Sequence, residues 1–192
     1  MRRISPSRLE RRLWFLAAAL VVLGYALIVP AQTALNALRS RGLLGKTVLA
    51  VFVLAAIGLC VLVLRSRPRP SEWVLYGAAM ATYALILPRL EVVQERVHFL
   101  QYGMLAGVVY FALRVRAARL GSPGRWASAT IAALLTALVG WGDEGIQALV
   151  PSRVYDLRDV GFNALAGILA VLTLALRETL RQDRQAISTA SE

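Results

Sequence analysis

The sequence predicts an all-α, polytopic membrane helix bundle of about six transmembrane helices, with the N-terminus and the C-terminus both in the cytoplasm. Three observations predict it. Of the 192 residues 58% are hydrophobic, and the mean hydropathy is +0.60, whereas a soluble domain is near half apolar at most. The apolar residues fall in six long runs with the charges gathered between them, the pattern of a chain that crosses a bilayer repeatedly. The basic residues are shared unevenly between alternate connections, as the positive-inside rule requires.

The six runs are 13–29, 47–64, 73–87, 97–113, 126–141 and 160–176. At ~1.5 Å rise per residue they reach about 22–27 Å, short of a hydrocarbon core of ~30 Å. Some must therefore extend by a turn into their polar flanks, or the lipid must thin around them. Run 13–29 follows a basic stretch (Arg2, Arg3, Arg8, Arg11, Arg12) that resembles the start of a signal peptide. It is longer than the usual apolar region of such a peptide and is expected to be retained as the first helix. Pro30 and Pro88 stand at run ends, where a helix can be interrupted, and Gly103 and Gly107 form a G-x-x-x-G suited to close helix packing. The connection 30–46 is the longest, and it predicts a short interfacial helix with Leu35, Leu38 and Leu43 facing lipid.

With the N-terminus inside, the inner segments hold 15 of the 22 basic residues and the outer segments hold Arg39, Arg41, Lys46, Arg89, Arg96, Arg153 and Arg158. That asymmetry agrees with an even number of spans. It also accounts for the net charge of +11 without a nucleic-acid partner, since the basic residues flank membrane runs. The single cysteine, Cys60, excludes an internal disulfide; with one histidine, a zinc site of the usual His/Cys kind is excluded too. The chain divides into residues 1–90, three apolar runs without a recognised motif; 91–177, a three-helix region rich in polar signals; and 178–192, a polar cytoplasmic tail whose stretch 182–192 is expected to fray.

Those polar signals gather at the outer ends of the last three runs. Glu95, His98 and Tyr102 follow i, i+3, i+7 spacing and so lie within about 60° on a helix. Asp143, Glu144 and Gln147 close the fifth run, and Arg153, Asp156, Asp159 and Asn163 lead into the sixth. Facing lipid would leave these groups unsatisfied, so the three stripes are expected to meet inside the bundle. Each also has a plainer role. His98 can bond a neighbouring carboxylate and join two helices; Asp159 can cap the sixth helix; Arg153 and Arg158 can pair with the outer acids in a salt-bridge network. The functional reading is a ligand site, with His98 as acid or base near neutral pH, or with carboxylates, Asn and Gln holding a divalent cation such as Mg²⁺ or Ca²⁺. No residue is assigned as a metal ligand from sequence. There is no G-x-S-x-G, no phosphate-binding glycine loop and no H-E-x-x-H.

At these positions the chain resembles the VanZ-like family of bacterial membrane proteins. The resemblance runs through Glu95-Arg96-Val97-His98-Phe99-Leu100-Gln101-Tyr102-Gly103 and Asp143-Glu144-Gly145-Ile146-Gln147. It continues in Pro151-Ser152-Arg153-Val154-Tyr155-Asp156-Leu157-Arg158-Asp159 and Asn163-Ala164-Leu165-Ala166-Gly167. It covers about residues 91–176, with Gln101 where many members have an acid and Ser152 where glycine often follows the proline. The resemblance implies a multi-pass protein of a bacterial cytoplasmic membrane acting at the cell envelope, in a family whose namesake is associated with teicoplanin resistance. It implies a ligand such as a cell-wall precursor, a lipid head group or a glycopeptide antibiotic. Asp143 and Glu144 would accept from that ligand, His98 would be a switchable donor, and Arg153 would contact an anion. Two other function classes stand beside it: a membrane hydrolase or transferase on a lipid-linked substrate, using His98 and the carboxylates, and a small transporter, against which stands the lack of charge in the middle of any run.

Overall fold

The computed structural model describes residues 6–90, 93–121, 124–149 and 155–190. Among these residues every regular element is helical. The order is α1 (Arg8–Ala26), α2 (Ile28–Ser40), α3 (Leu44–Arg65), α4 (Pro70–Ile86), a 3-10 turn (Leu87–Arg89), α5 (Val93–Leu120), α6 (Arg125–Gln147) and α7 (Leu157–Ala190).

Local chemistry sets the ends. Ser7 Oγ accepts from the Glu10 N–H at 3.0 Å, and Ser-x-x-Glu is the order of a capping box. Pro70 opens α4, where its missing N–H costs nothing. Pro88 sits in the 3-10 turn that ends the α4 run, and Pro30 lies in the first turn of α2, where no intrahelical donor is needed. Gly121 stops α5 at φ +75°, its N–H returning 2.9 Å to the Ala117 carbonyl, a left-handed position that glycine adopts without steric cost. Each of the six apolar runs folds as helix and starts within its polar flank, but run 13–29 is broken at Leu27, its last two residues opening α2, and run 73–87 ends in the 3-10 turn. The connection 30–46 is helical as far as Ser40, in α2, which starts at Ile28 inside the first run; Leu35 and Leu38 lie on it, whereas Leu43 precedes α3.

The last helix differs from expectation. The boundary at 177/178 falls inside α7, which continues to Ala190 rather than fraying. Its first turn past that boundary is held by ion pairs: Glu178 accepts from Arg114 of α5 at 2.9 Å, and Arg181 donates to Glu72 of α4 at 2.8 Å. Both bonds hold the polar stretch against the bundle.

Helices α5, α6 and α7 pack mutually and form the core; α1 lies on α5, and α4 lies on α7. From the first 90 residues, α1 and α4 clothe the motif helices, while α3 meets α2. Small side chains let the axes approach: Ala106, Ala132 and Ala166 are fully buried. A Cβ on Gly167 would stand 3.2 Å from Thr136 Cγ2, and one on Gly140 would stand 2.9 Å from Asn163 Cβ. The Gly103/Gly107 pair serves contacts inside the chain, since Gly103 faces the Tyr83 hydroxyl and Gly107 faces Leu174. Gly140→Ala is accordingly expected to destabilise by roughly 1–3 kcal/mol through overpacking. Gly145, on the same helix with nothing within 4 Å of its would-be Cβ, is expected to gain roughly 0.5–1 kcal/mol on changing to Ala. Unfolding both variants in one detergent checks the opposite signs.

Two helices, α3 and the Leu157–Gln182 part of α7, are long and apolar enough to cross a membrane. In α3 no residue is buried, and Leu49, Leu54 and Leu62 are 66%, 67% and 65% exposed. At 22 residues it is about 33 Å long. An apolar surface of that extent is the kind that marks a membrane or partner interface.

The two ends of the bundle differ in chemistry. One end collects ion pairs: Glu10 of α1 with Arg119 of α5 at 3.0 Å, Arg114 with Glu178, and Glu72 with Arg177 and Arg181 at 3.0 and 2.8 Å. The other end collects acids, a histidine and amides.

Candidate functional site

The acidic end is built by the start of α5, the end of α6 and the start of α7. On α5 the 3.6-residue period puts His98 and Tyr102 one turn apart on one face, and their rings meet edge to face with centroids 6.2 Å apart. Tyr102 is buried and donates its hydroxyl to Asp143 Oδ2 of α6 at 3.0 Å. His98 Nδ1 stands 3.8 Å from the same oxygen. That is beyond hydrogen-bond reach, so the two rings approach Asp143 side by side, Tyr102 bonding it and His98 standing off.

Glu144, one residue on, turns toward α7. Its Oε1 accepts from Gln147 Nε2 at 3.2 Å, and its Oε2 accepts the Asp156 backbone N–H at 3.4 Å. Asp143, Glu144, Gln147 and Asn163 are 3%, 1%, 2% and 1% exposed. Asn163 packs against Gly140, and so does the edge of the Tyr102 ring. Its Nδ2 is buried without a hydrogen-bond acceptor.

Of the sequence-predicted residues, the structure brings together His98, Tyr102, Asp143, Glu144, Gln147 and Asn163, with Asp156 joined through its backbone. Glu95 is half-buried in the first turn of α5, one turn from His98. Asp159 is half-buried in the first turn of α7. Arg153 lies outside the described residues, as do Pro151, Ser152 and Glu91.

One expectation is corrected. The N-cap of α7 is Asp156, not Asp159: Asp156 Oδ1 accepts the Arg158 N–H at 2.8 Å, the second helical donor. Arg158 places its guanidinium 6.0 Å from the centre of the Phe162 ring, one turn on, a cation–π contact.

Tyr25 of α1 is a neighbour that sequence reasoning missed. Its hydroxyl donates to the Val139 carbonyl at 2.8 Å, next to Gly142. Gln101, also of α5, presses its amide onto Gly24 of α1. These contacts tie the first helix to the site from the side. A lone tyrosine in an apolar run carries no signal of this; Gly24 opposite a polar residue is visible only once the helices are paired.

Chemically, the end of the bundle offers two carboxylates, an imidazole and a phenol, held by amide and backbone donors and shielded from solvent. His98, Asp143 and Glu144 each present a ligand atom within 4.8 Å of the others. Such a group can accept hydrogen bonds, hold a cation or exchange a proton. Comparison with protein-family models, with curated proteins and with solved structures finds no match.

Proposed function

We propose that the chain is a VanZ-like integral membrane protein of a bacterial cytoplasmic membrane, crossing it about six times with both termini inside. Its acidic end faces outward and binds an envelope amphiphile: a lipid-linked cell-wall precursor, a lipid head group or a glycopeptide antibiotic of the teicoplanin kind. The observation that carries this reading is the burial of Asp143, Glu144, Gln147 and Asn163 where α5, α6 and α7 meet. Polar groups sunk in an otherwise apolar bundle are costly, and in a membrane protein they mark a functional site by default.

The two chemically different ends support the orientation. Arg114, Arg119, Arg177 and Arg181 all gather at the end opposite Asp143, as inner-side arginines do. In the bound state Asp143 and Glu144 accept hydrogen bonds from the amphiphile. His98, 19% exposed at its side chain, is the group that meets it first, and Arg153 contacts an anionic part.

The test is drug susceptibility in a sensitive host. Wild type is expected to raise tolerance to teicoplanin, and the Asp143→Ala, Glu144→Ala, Gln147→Ala triple variant at matched membrane level is expected not to. Vancomycin is run in parallel. If neither strain differs from empty vector, a glycopeptide ligand is ruled out, and binding of lipid-linked precursors to purified protein becomes the measurement.

A second reading is a hydrolase or transferase acting on a lipid-linked substrate. The observation favouring it is the proximity of His98 to two buried carboxylates, which is the donor set for acid–base work. Turnover of polyprenyl phosphates or phospholipids that disappears in His98→Ala supports it; purified wild type inert toward both removes it.

A further inference from the structure

We propose that His98, Asp143 and Glu144 bind one divalent transition-metal ion of the zinc class. The proposal deepens the preceding reading by placing an ion, in place of direct hydrogen bonds from the two carboxylates, between the acidic end and an anionic part of the ligand, and it rests on that reading for the ligand alone.

The ligand set comes first. One imidazole nitrogen and two carboxylate oxygens lie within 4.8 Å of one another on α5 and α6. Imidazole suits zinc and its neighbours, whereas Mg²⁺ and Ca²⁺ take oxygen alone. Sequence reasoning considered the oxygen-binding ions and excluded zinc for want of cysteine and a second histidine; it did not weigh one histidine with two adjacent acids. Three protein ligands with an open position are the arrangement of zinc sites that exchange a ligand, in contrast to closed structural sites.

The spacing comes second. His98 Nδ1 and Asp143 Oδ2 stand 3.8 Å apart with no hydrogen bond between them. Two ligands on one ion at ~2.0–2.2 Å are themselves about 3–4 Å apart. Glu144 offers its oxygen within 4.8 Å of both, close enough to complete the set. Charge fits as well, because a dication matches two carboxylates at 3% and 1% exposure, which water does not solvate.

The surroundings come third. The Tyr102 hydroxyl holds Asp143, and the Gln147 amide holds Glu144, as outer hydrogen bonds orient metal-binding carboxylates. Independently of the three ligands, Asn163 offers a buried Nδ2 that has no acceptor among the described residues, beside Gly140, one turn below Asp143. That donor is available to an anion or water carried on the ion.

Full-length protein in nanodiscs, stripped with chelator and titrated with Zn²⁺ alone, tests this. One equivalent of zinc is expected by calorimetry and by elemental analysis, and Co²⁺ at the same site is expected to give visible absorption bands. Asp143→Asn with His98→Gln is expected to abolish both signals. Tyr102→Phe, which keeps every ligand, is expected to weaken binding roughly tenfold or more. Wild type that takes up no stoichiometric zinc overturns the proposal regardless of how any variant folds. So does zinc affinity unchanged in the double variant. Zinc binding without any ligand or drug phenotype leaves the metal site standing and removes the envelope-ligand reading; Asp143-dependent teicoplanin tolerance in protein that binds no zinc does the reverse.

Discussion

Glu72→Ala is expected to cause the largest single loss of stability at the arginine-rich end, about 3 kcal/mol, near the low end of the ~3–5 kcal/mol typical when one partner of a buried ion pair is removed. Glu72 is fully buried and accepts from Arg177 Nε at 3.0 Å and from Arg181 Nε and Nη2 at 2.8 and 3.0 Å. Arg181 also donates to the Ser66 carbonyl at 3.1 Å, so one carboxylate organises α4, α7 and the end of α3. The figure sits at the low end because the arginines are 18% and 37% exposed and can turn toward water once freed. Titration of detergent-solubilised protein with denaturing detergent, followed by tryptophan fluorescence, measures it. A second variant fixes the cause: Glu72→Leu combined with Arg177→Leu and Arg181→Met removes every charge together and is expected to recover most of the loss. A Glu72→Ala cost below about 1 kcal/mol would place this cluster among ordinary surface ion pairs.

That clamp shows where sequence reading stopped. The six apolar runs were legible because their length and lack of charge leave little choice of structure, and the polar flanks that complete each helix followed from bilayer thickness. Glu72 and Glu10 carried no comparable signal. Each is a lone acid near a helix start, among arginines assigned to topology. Only the pairing of α4 with α7 and of α1 with α5 shows that those arginines also have partners. The same pairing holds the first turn of α7 past Leu176, where composition alone reads as tail: Glu178 and Arg181 bond neighbouring helices while staying partly solvated.

The site was legible for a different reason. Helical spacing put His98 with Tyr102 on one stripe and Asp143 with Gln147 on another, and the need to hide polar atoms from lipid predicted that the stripes meet. They do, through the Tyr102–Asp143 bond and through Asn163 lying on Gly140. Spacing could not tell which acid caps α7, because Asp156 and Asp159 both precede an apolar run; backbone geometry chose Asp156. Nor could it supply Tyr25 or Gln101, whose roles depend on which neighbour α1 chooses.

Asp143→Asn is expected to separate function from stability more sharply than any other change. Asparagine keeps the shape and an oxygen to accept the Tyr102 hydroxyl, and it removes a charge from a position 3% exposed. If the carboxylate is held there for a ligand, its burial is a cost the fold bears, so the variant is expected to be at least as stable as wild type while teicoplanin tolerance falls to the empty-vector level. Gains of about 1 kcal/mol are in the range seen when buried charge is removed without loss of packing. If the carboxylate is instead a staple between α5 and α6, the variant loses a hydrogen bond to a charged group, roughly 1.5–3 kcal/mol. Tyr102→Phe supplies the complementary arm, because it leaves Asp143 without its donor and is expected to destabilise in either case. Combining the two in a double-mutant cycle gives the coupling between them, free of other contacts each residue makes. Stability retained with function gone assigns Asp143 to ligand chemistry. Stability lost by more than about 2 kcal/mol with tolerance intact makes the bond a helix–helix staple, and the search for a binding group then moves to His98 and Glu144.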